Sequence, residues 1–411
     1  MKKILVLCCH DGITTFYCGV GKVVKDTLFV ISELIKSNEF NYELHIFTPY
    51  VDRDSEFYRK NEKIFASKLA ESTGGRLHEI KVIAGTKTKD INSNWGVDQW
   101  NLASRQVASF VQSNKDRGVI ILLHDIYFAL LCYYLEKMDG VSVCYIPHST
   151  GKLFNEPFRL PSEKLIYRGV REKQYKIGYI NNFIRKHLQN SYGVKLSELV
   201  PIKNALLISE IGTLSNDEIN NRKKAEKCLS KIGKNKKIIF SFGRCSAQKG
   251  FHTLIDAYYL AKISDEYVLV LLAPVDITDK KYLGLIKSKL DKLPKNSCLF
   301  IKEFMSPLPF LMSEKLKMIV FSSQFECAPI SALEALRHSE RSTIIYSEIQ
   351  PFKEIFKGLS GTKMVSRNNP KNWSTEINAS IRRPFLGVRV WNSETYNINF
   401  QNLLYTLEKD Y

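Results

Sequence analysis

Short apolar runs alternate with amphipathic stretches of helix length along nearly the whole chain, the pattern of α/β units built on a parallel sheet. In the first half the runs that predict strands are residues 3–9, 43–48, 77–84, 119–123 and 141–146; in the second they are 237–242, 267–273, 297–301, 317–322 and 343–346. The expected architecture is α/β with two Rossmann-like, doubly wound parallel sheets in succession. Ligands of open α/β sheets sit beyond the carboxyl ends of the strands, so two such sheets facing an interdomain cleft would place chemistry on the loops that follow strands. The join is expected near 203–232, where Pro201 and Asn204 end one strand and a polar stretch precedes the next. The domain boundaries that follow are 1–205, 206–384 and a C-terminal segment 385–411 that returns to the first domain, with a final helix over 392–410.

Length agrees with two domains, since 411 residues exceed the roughly 250–300 that one core sustains. Composition argues against disorder, at 44% hydrophobic and 25% charged. The departure from the ordinary is a net charge of +18, which draws the chain toward anionic partners: nucleic acid, acidic membrane or phosphorylated ligands. Most of it, +13, falls within residues 152–249, around the predicted join. The longest apolar candidate for a membrane span, 119–135, is interrupted by His124 and Asp125, so an integral membrane protein is not expected. The apolar N-terminus reads as a buried first strand, not a leader, because it meets His10 and Asp11 at once. Nine cysteines with no CxxC pair suggest reduced core thiols in a cytoplasmic protein.

Three stretches carry candidate chemistry. In HDGITTFYCGVGKVV, Gly19 and Gly21 precede an amphipathic helix, where backbone amides could face an anion with no Cβ in the way; a plain helix-start glycine pair explains them as well. In FSFGRCSAQKGF, a strand ends at Phe242 and the following loop carries Gly243, Arg244, Lys249 and Gly250. An Arg fork and a Lys point charge there suit a diphosphate, and a solvated basic loop is the alternative. In FSSQFECAPISALEALRHSE, Glu326 follows a strand and Glu334 lies inside a helix that begins near Pro329, which suits a first helical position. Two carboxylates so placed can hold sugar or ribose hydroxyls. Glu334 is surrounded by apolar neighbours in sequence, and a buried carboxylate needs partners.

Taken in order, GR and KG after a strand, then E-x7-E, resemble the donor half of the family 4 glycosyltransferases of the GT-B fold. CGVGKVV is similar to that family's GGVG element, and SYGVKLSELVPIKNALL to the stretch closing its N-terminal domain. The resemblance implies that Arg244 and Lys249 neutralise the diphosphate of a nucleotide sugar and that Glu334 binds ribose hydroxyls. It implies that Glu326 holds the transferred sugar near its reacting carbon, with backbone amides around Ala328, Ile330 and Ser331 assisting. Gly19 and Gly21 would approach the donor from the first domain, and His148, in IPHSTGK, matches the family's histidine near sugar and acceptor. The sequence departs from the family at Pro329, which removes an N–H donor, at Cys18 in place of a glycine, and at Ala205. Retention of configuration and independence of metal are further implications; the nucleotide sugar, taken as UDP-linked and carrying a hexose or N-acetylhexosamine, is a substrate, and no cofactor is expected.

On the acceptor side, His124 and Asp125 also follow a strand. They would line the acceptor, or else form a helix cap and a satisfied histidine. Trp95 and Trp100 would stack on an acceptor sugar, or else pack in the core. IPHSTGK with Arg159 and Glu163 is similar to glycosyltransferases of aminocyclitol antibiotics; a lipid-linked or cell-envelope glycan is the other acceptor class, in keeping with a basic surface on anionic membrane. Two other readings stay open: a GT-B sugar-nucleotide epimerase, and a basic nucleic-acid-binding protein, for which no RNP, KH, zinc or helix-turn-helix signature is present.

Overall fold

The computed structural model describes residues 2–15, 19–55, 58–81, 97–202, 216–274, 280–391 and 396–409. The chain divides into two compact units: residues 1–208 with 394–411, and residues 209–393.

The first unit holds a seven-stranded sheet in the order β3-β2-β1-β4-β5-β6-β7, every neighbouring pair parallel. Its strands are β1 (Lys3–Cys8), β2 (Tyr42–Pro49), β3 (Arg76–Ile80), β4 (Val119–His124), β5 (Val141–Ile146), β6 (Lys176–Tyr179) and β7 (Leu199–Pro201). The central strands read KILVLC and VIILLH, apolar on both faces, because helices cover a parallel sheet on both sides. The C-terminal helix Tyr396–Glu408 belongs to this unit. Ser142 Oγ donates to Leu407 O at 2.9 Å, and Glu408 accepts from Tyr42 at 2.5 Å and pairs with Lys3 at 3.1 Å.

The second unit holds a six-stranded parallel sheet in the order β10-β9-β8-β11-β12-β13. The strands are β8 (Lys237–Phe242), β9 (Tyr267–Leu272), β10 (Cys298–Ile301), β11 (Leu316–Phe321), β12 (Thr343–Ser347) and β13 (Thr362–Val365). Two apolar layers sandwich it, one including Phe240, Phe321 and Phe352, the other Phe251, Leu269 and Trp373. In both sheets the strand order reverses beside the first strand, between β1 and β4 and between β8 and β11, the place where open α/β sheets leave a crevice at the carboxyl edge. Strands β6 and β13 were not among the predicted apolar runs: each has only four residues, and two of the four in β13 are exposed.

Among the described residues every cysteine is a free thiol. Among these same residues no helix is long and apolar enough to cross a membrane. Toward the end of the second unit the usual inside-outside pattern inverts. Arg389 is buried and donates to the carbonyls of Ser339, Ser360 and Gly361, while Leu386, Val388 and Val390 around it are exposed. Burial without a carboxylate partner lowers the guanidinium to about 10.

Candidate functional site

In the second unit the loop after β8 is shaped by two glycines. Gly243 has φ +144, and a Cβ there would lie 2.9 Å from Lys249 Cε, so its absence lets the lysine side chain cross the loop. Gly250 has φ +64, and a Cβ would meet the Ser322 carbonyl oxygen at 2.1 Å; only glycine allows this loop to rest on the end of β11. Hydrogen bonds stitch the two loops together: Gln324 N to Gln248 O at 2.7 Å and Ser322 Oγ to Lys249 O at 3.0 Å. The helix Phe251–Ala261 follows at once.

The consequence is a close ion pair. Lys249 Nζ lies 2.7 Å from Glu326 Oε1, which also accepts from Ser323 Oγ at 2.7 Å. Gln248 Nε2 donates to Phe325 O at 3.1 Å and reaches Glu326 Oε2 at 3.4 Å. Glu326 is only 6% exposed, whereas Arg244 is exposed and contacts Gln248 Oε1 at 3.4 Å. Arg244, Lys249 and Glu326 thus stand on neighbouring loops at the carboxyl edge of one sheet. Pro329 is the N-cap of the helix Ile330–His338 and not its first residue, because its ψ of 91° is extended. Ile330 and Ser331 are therefore the first-turn residues, whose amides have no acceptor within a helix, and Ala328 precedes them. Glu334 sits one turn further on, half-buried.

In the first unit the loop after β1 folds back on the helix Gly19–Lys36. Asp11 is fully buried and accepts from Thr15 Oγ1 at 2.9 Å. A Cβ on Gly21 would lie 2.5 Å from Asp11 Oδ2, so the glycine makes room for the chain's own carboxylate at this helix start. Gly21 is buried; Gly19 is exposed. His10 stacks on Tyr127 with ring centroids 3.9 Å apart.

The loops after β4 and β5 are tied by Arg159. This buried guanidinium donates to Ser149 Oγ at 3.0 Å and Ser149 O at 3.1 Å, and stands 3.5 Å from Asp125, 3.0 Å from Glu156 and 3.5 Å from Glu163. Burial opposes its charge, but Asp125, Tyr145, Glu163 and Glu156 outweigh burial and hold it above its usual value. Glu163, fully buried, accepts from Gly151 N at 2.7 Å and Tyr192 OH at 2.5 Å. Asp125 occupies the cap position of the short turn Ile126–Phe128 but makes no cap hydrogen bond. Its φ of +62° and ψ of −173° fall in a region nearly reserved for glycine, a strain of about 1–3 kcal/mol that the surrounding network sustains.

His148 stands between these loops, half-buried, with Nε2 3.1 Å from Nδ1 of the buried His124. Of the residues expected on the acceptor side, His124, Asp125 and Trp100 are all buried, so in this structure they face the chain and not solvent. Trp100 packs near Tyr127 and Phe158, with centroids 6.0 and 6.3 Å away. Phe158 is 58% exposed and is the ring of this group with a face toward solvent. Trp95 lies outside the described residues. The sequence reading did not identify Ser323 or Gln248 as partners of Glu326, nor Tyr127 and Phe158; the spacing of Arg159 and Glu163, four apart at a helix start, was the one local signal of the buried network.

Burial lowers the imidazoles of His10, His124 and His148, the last to about 4, with Asp125 opposing the shift in His148 and His10 adding to it. The His45–His78 pair on β2 and β3, 2.9 Å apart, is lowered in the same way, His78 to about 4. A histidine held below its unfolded value of about 6.5 leaves stability unchanged above that pH. Below it the unfolded chain takes up protons that the folded chain refuses, so stability falls as pH drops from about 6.5 to about 4. Denaturant midpoints at pH 8.5, 7.5 and 5 should therefore be flat between the first two and lower at the third; midpoints constant to pH 5 would contradict the burial of these rings as neutral groups.

Among the described residues no group of three or more His, Cys, Asp or Glu could hold a metal ion. Residues 223–385, which include both loops of the second unit, match the Glycosyl transferases group 1 family. No curated protein matches the sequence. Solved structures match over nearly the whole length. Sucrose-phosphate synthase from Thermosynechococcus elongatus has a TM-score of 0.67 at 13% identity, with 99% of this chain and 95% of that one covered. Anabaena Alr3699/HepE in complex with UDP and glucose has a TM-score of 0.66 at 14% identity, with both chains covered in full. WaaG, a glycosyltransferase involved in lipopolysaccharide biosynthesis, has a TM-score of 0.59 at 12% identity, covering 92% and 91%. Together with the two parallel sheets, these likenesses identify the fold as GT-B.

Proposed function

We propose that this chain moves a hexosyl or N-acetylhexosaminyl group from a nucleoside diphosphate donor, UDP-linked, to an acceptor hydroxyl, with retention of configuration. The observation that carries this reading is the Lys249–Glu326 pair, 2.7 Å long, beside exposed Arg244 and the first turn of the helix Ile330–His338. The match of residues 223–385 to a glycosyltransferase family and the Anabaena structures with UDP and UDP-glucose support it. In this reading Arg244 and Lys249 meet the growing charge on the leaving diphosphate. Lys249 has three N–H donors, so it can serve a phosphate oxygen while keeping Glu326. Glu334 takes the ribose hydroxyls, and the amides of Ile330 and Ser331 face the diphosphate. The acceptor oxygen bonds to the sugar carbon as the bond from that carbon to phosphate oxygen breaks, and the departing phosphate oxygen takes the acceptor proton. Glu326 steadies the oxocarbenium-like sugar while one bond breaks and the other forms.

The first unit serves the acceptor. Of the acids that could receive a polycationic acceptor, Asp11 and Asp125 are buried and engaged with Thr15 and with Arg159 and Ser149, whereas Asp98 is exposed. A thermal-shift screen against UDP, GDP, TDP and their sugars tests the reading, because a ligand at about 100 times its Kd stabilises the folded state by about 2.7 kcal/mol. We expect UDP and a UDP-sugar to raise the Tm by about 5 °C or more. No shift with any nucleotide or nucleotide sugar would reject the reading.

A further inference from the structure

Among the described residues His148 has one hydrogen-bond partner, His124, and its Nδ1 has none. His124 is more constrained. It is 2% exposed, its Nδ1 faces His148 Nε2 at 3.1 Å, and its Nε2 is buried without a hydrogen-bond partner. It lines a small cavity with Thr27, Leu122, Ile146, Ile202, Asn399, Phe400 and Leu403, none of which bonds to that nitrogen.

Two neutral imidazoles in contact share one proton, so one nitrogen of the pair donates and the other accepts. Burial lowers both rings, which keeps them neutral near pH 7. If His148 Nε2 were the donor, His124 would carry its own proton on Nε2, a buried N–H without an acceptor. Buried N–H groups with no acceptor are rarer in folded proteins than lone pairs left unpaired. The other arrangement puts the His124 proton on Nδ1, given to His148 Nε2, and leaves only a lone pair at the buried nitrogen. His148 must then carry its proton on Nδ1, the nitrogen with no partner among the described residues.

We propose that His124 is a positioning residue that fixes His148 as the Nδ1–H tautomer, so that His148 offers a ligand oxygen a hydrogen-bond donor and cannot act as its base. Arg159 supports the same arrangement from the other side by holding Ser149, the next residue, through both its hydroxyl and its carbonyl. The chemical use of the tautomer rests on the transferase reading: there the acceptor proton leaves with the phosphate, and the role left for His148 is donation to a sugar or acceptor oxygen.

Nitrogen-15 NMR of histidine-labelled protein at pH 7 tests the tautomer without any substrate. His148, assigned by its loss in His148→Gln, should show a pyrrole-type Nδ1 and a pyridine-type Nε2. His124→Asn, whose amide supplies an N–H near the place of Nδ1, should keep that signature and keep UDP-glucose turnover within about threefold, whereas His124→Leu should lose the signature and about 10–100-fold in turnover. A pyrrole-type Nε2 on His148 in the wild-type chain overturns the proposal, as does His124→Leu with the signature unchanged. If the wild-type signature is as expected but no nucleotide sugar is turned over, the tautomer stands and the transferase reading falls; turnover with the opposite tautomer removes this inference alone.

Discussion

Alanine at Lys249 is expected to reduce turnover of the nucleotide sugar by about 10²–10³-fold, the loss typical of removing one preorganised charge or donor from a developing anion. It should also destabilise the protein in the absence of any ligand. Glu326 is nearly dry, and Lys249 at 2.7 Å is its cationic partner; stripping one member of a buried pair leaves a charge uncompensated, at a cost of about 3 kcal/mol. The two effects separate in the double variant. Lys249→Ala with Glu326→Gln removes the stranded carboxylate, so most of the lost stability should return while turnover stays absent. Steady-state assay with UDP-glucose and thermal melting of the two variants check this. Wild-type stability in Lys249→Ala, or recovered turnover in the double variant, would show that the pair does not do what the geometry implies.

The second large effect is at Arg159. Methionine there keeps much of the side-chain volume but leaves Asp125 and Glu163 buried without their cation, and a loss of about 3–5 kcal/mol follows, lowering the Tm by about 10 °C. Arg159→Lys should recover part of that stability, because a charge returns. It should not recover turnover, because an ammonium cannot reproduce the two-point grip of the guanidinium on Ser149 Oγ and O that sets the loop carrying His148. Equal turnover in the lysine and arginine forms would contradict a positioning role for this residue.

The contrast between the two sites explains what was legible in the sequence. The donor-side loops are compact in sequence: Gly243, Arg244, Lys249 and Gly250 lie within eight residues, and a strand before with a helix after tells the reader that they share one edge. Their pairing with Glu326 needed only the adjacency of β8 and β11, which doubly wound topology implies. The first unit was harder. Asp125, Ser149, Arg159 and Glu163 come from separate loops and a helix, and nothing local says that one guanidinium ties them. His124 and His148 meet because β4 and β5 pair with His124 opposite Ile146, so that His148, two residues on, continues the same face. That register is not readable from either motif. The Gly19–Gly21 motif suggested space for an outside anion, and Gly21 instead accommodates Asp11, a carboxylate eight residues before the helix with no spacing rule to reveal it. Strand periodicity located the apolar central strands well but not β13, which is short and exposed because it is an edge.

The central claim is that the carboxyl edge of the second sheet binds a nucleoside diphosphate through Lys249. Isothermal titration of UDP into the wild-type chain and into the Lys249→Ala, Glu326→Gln double variant, its fold checked by thermal melting, tests this most directly. Saturable binding at one site in the wild type, weakened at least about 100-fold in the variant, is the predicted result. Binding of equal strength in both proteins, or none in the wild type, would contradict it.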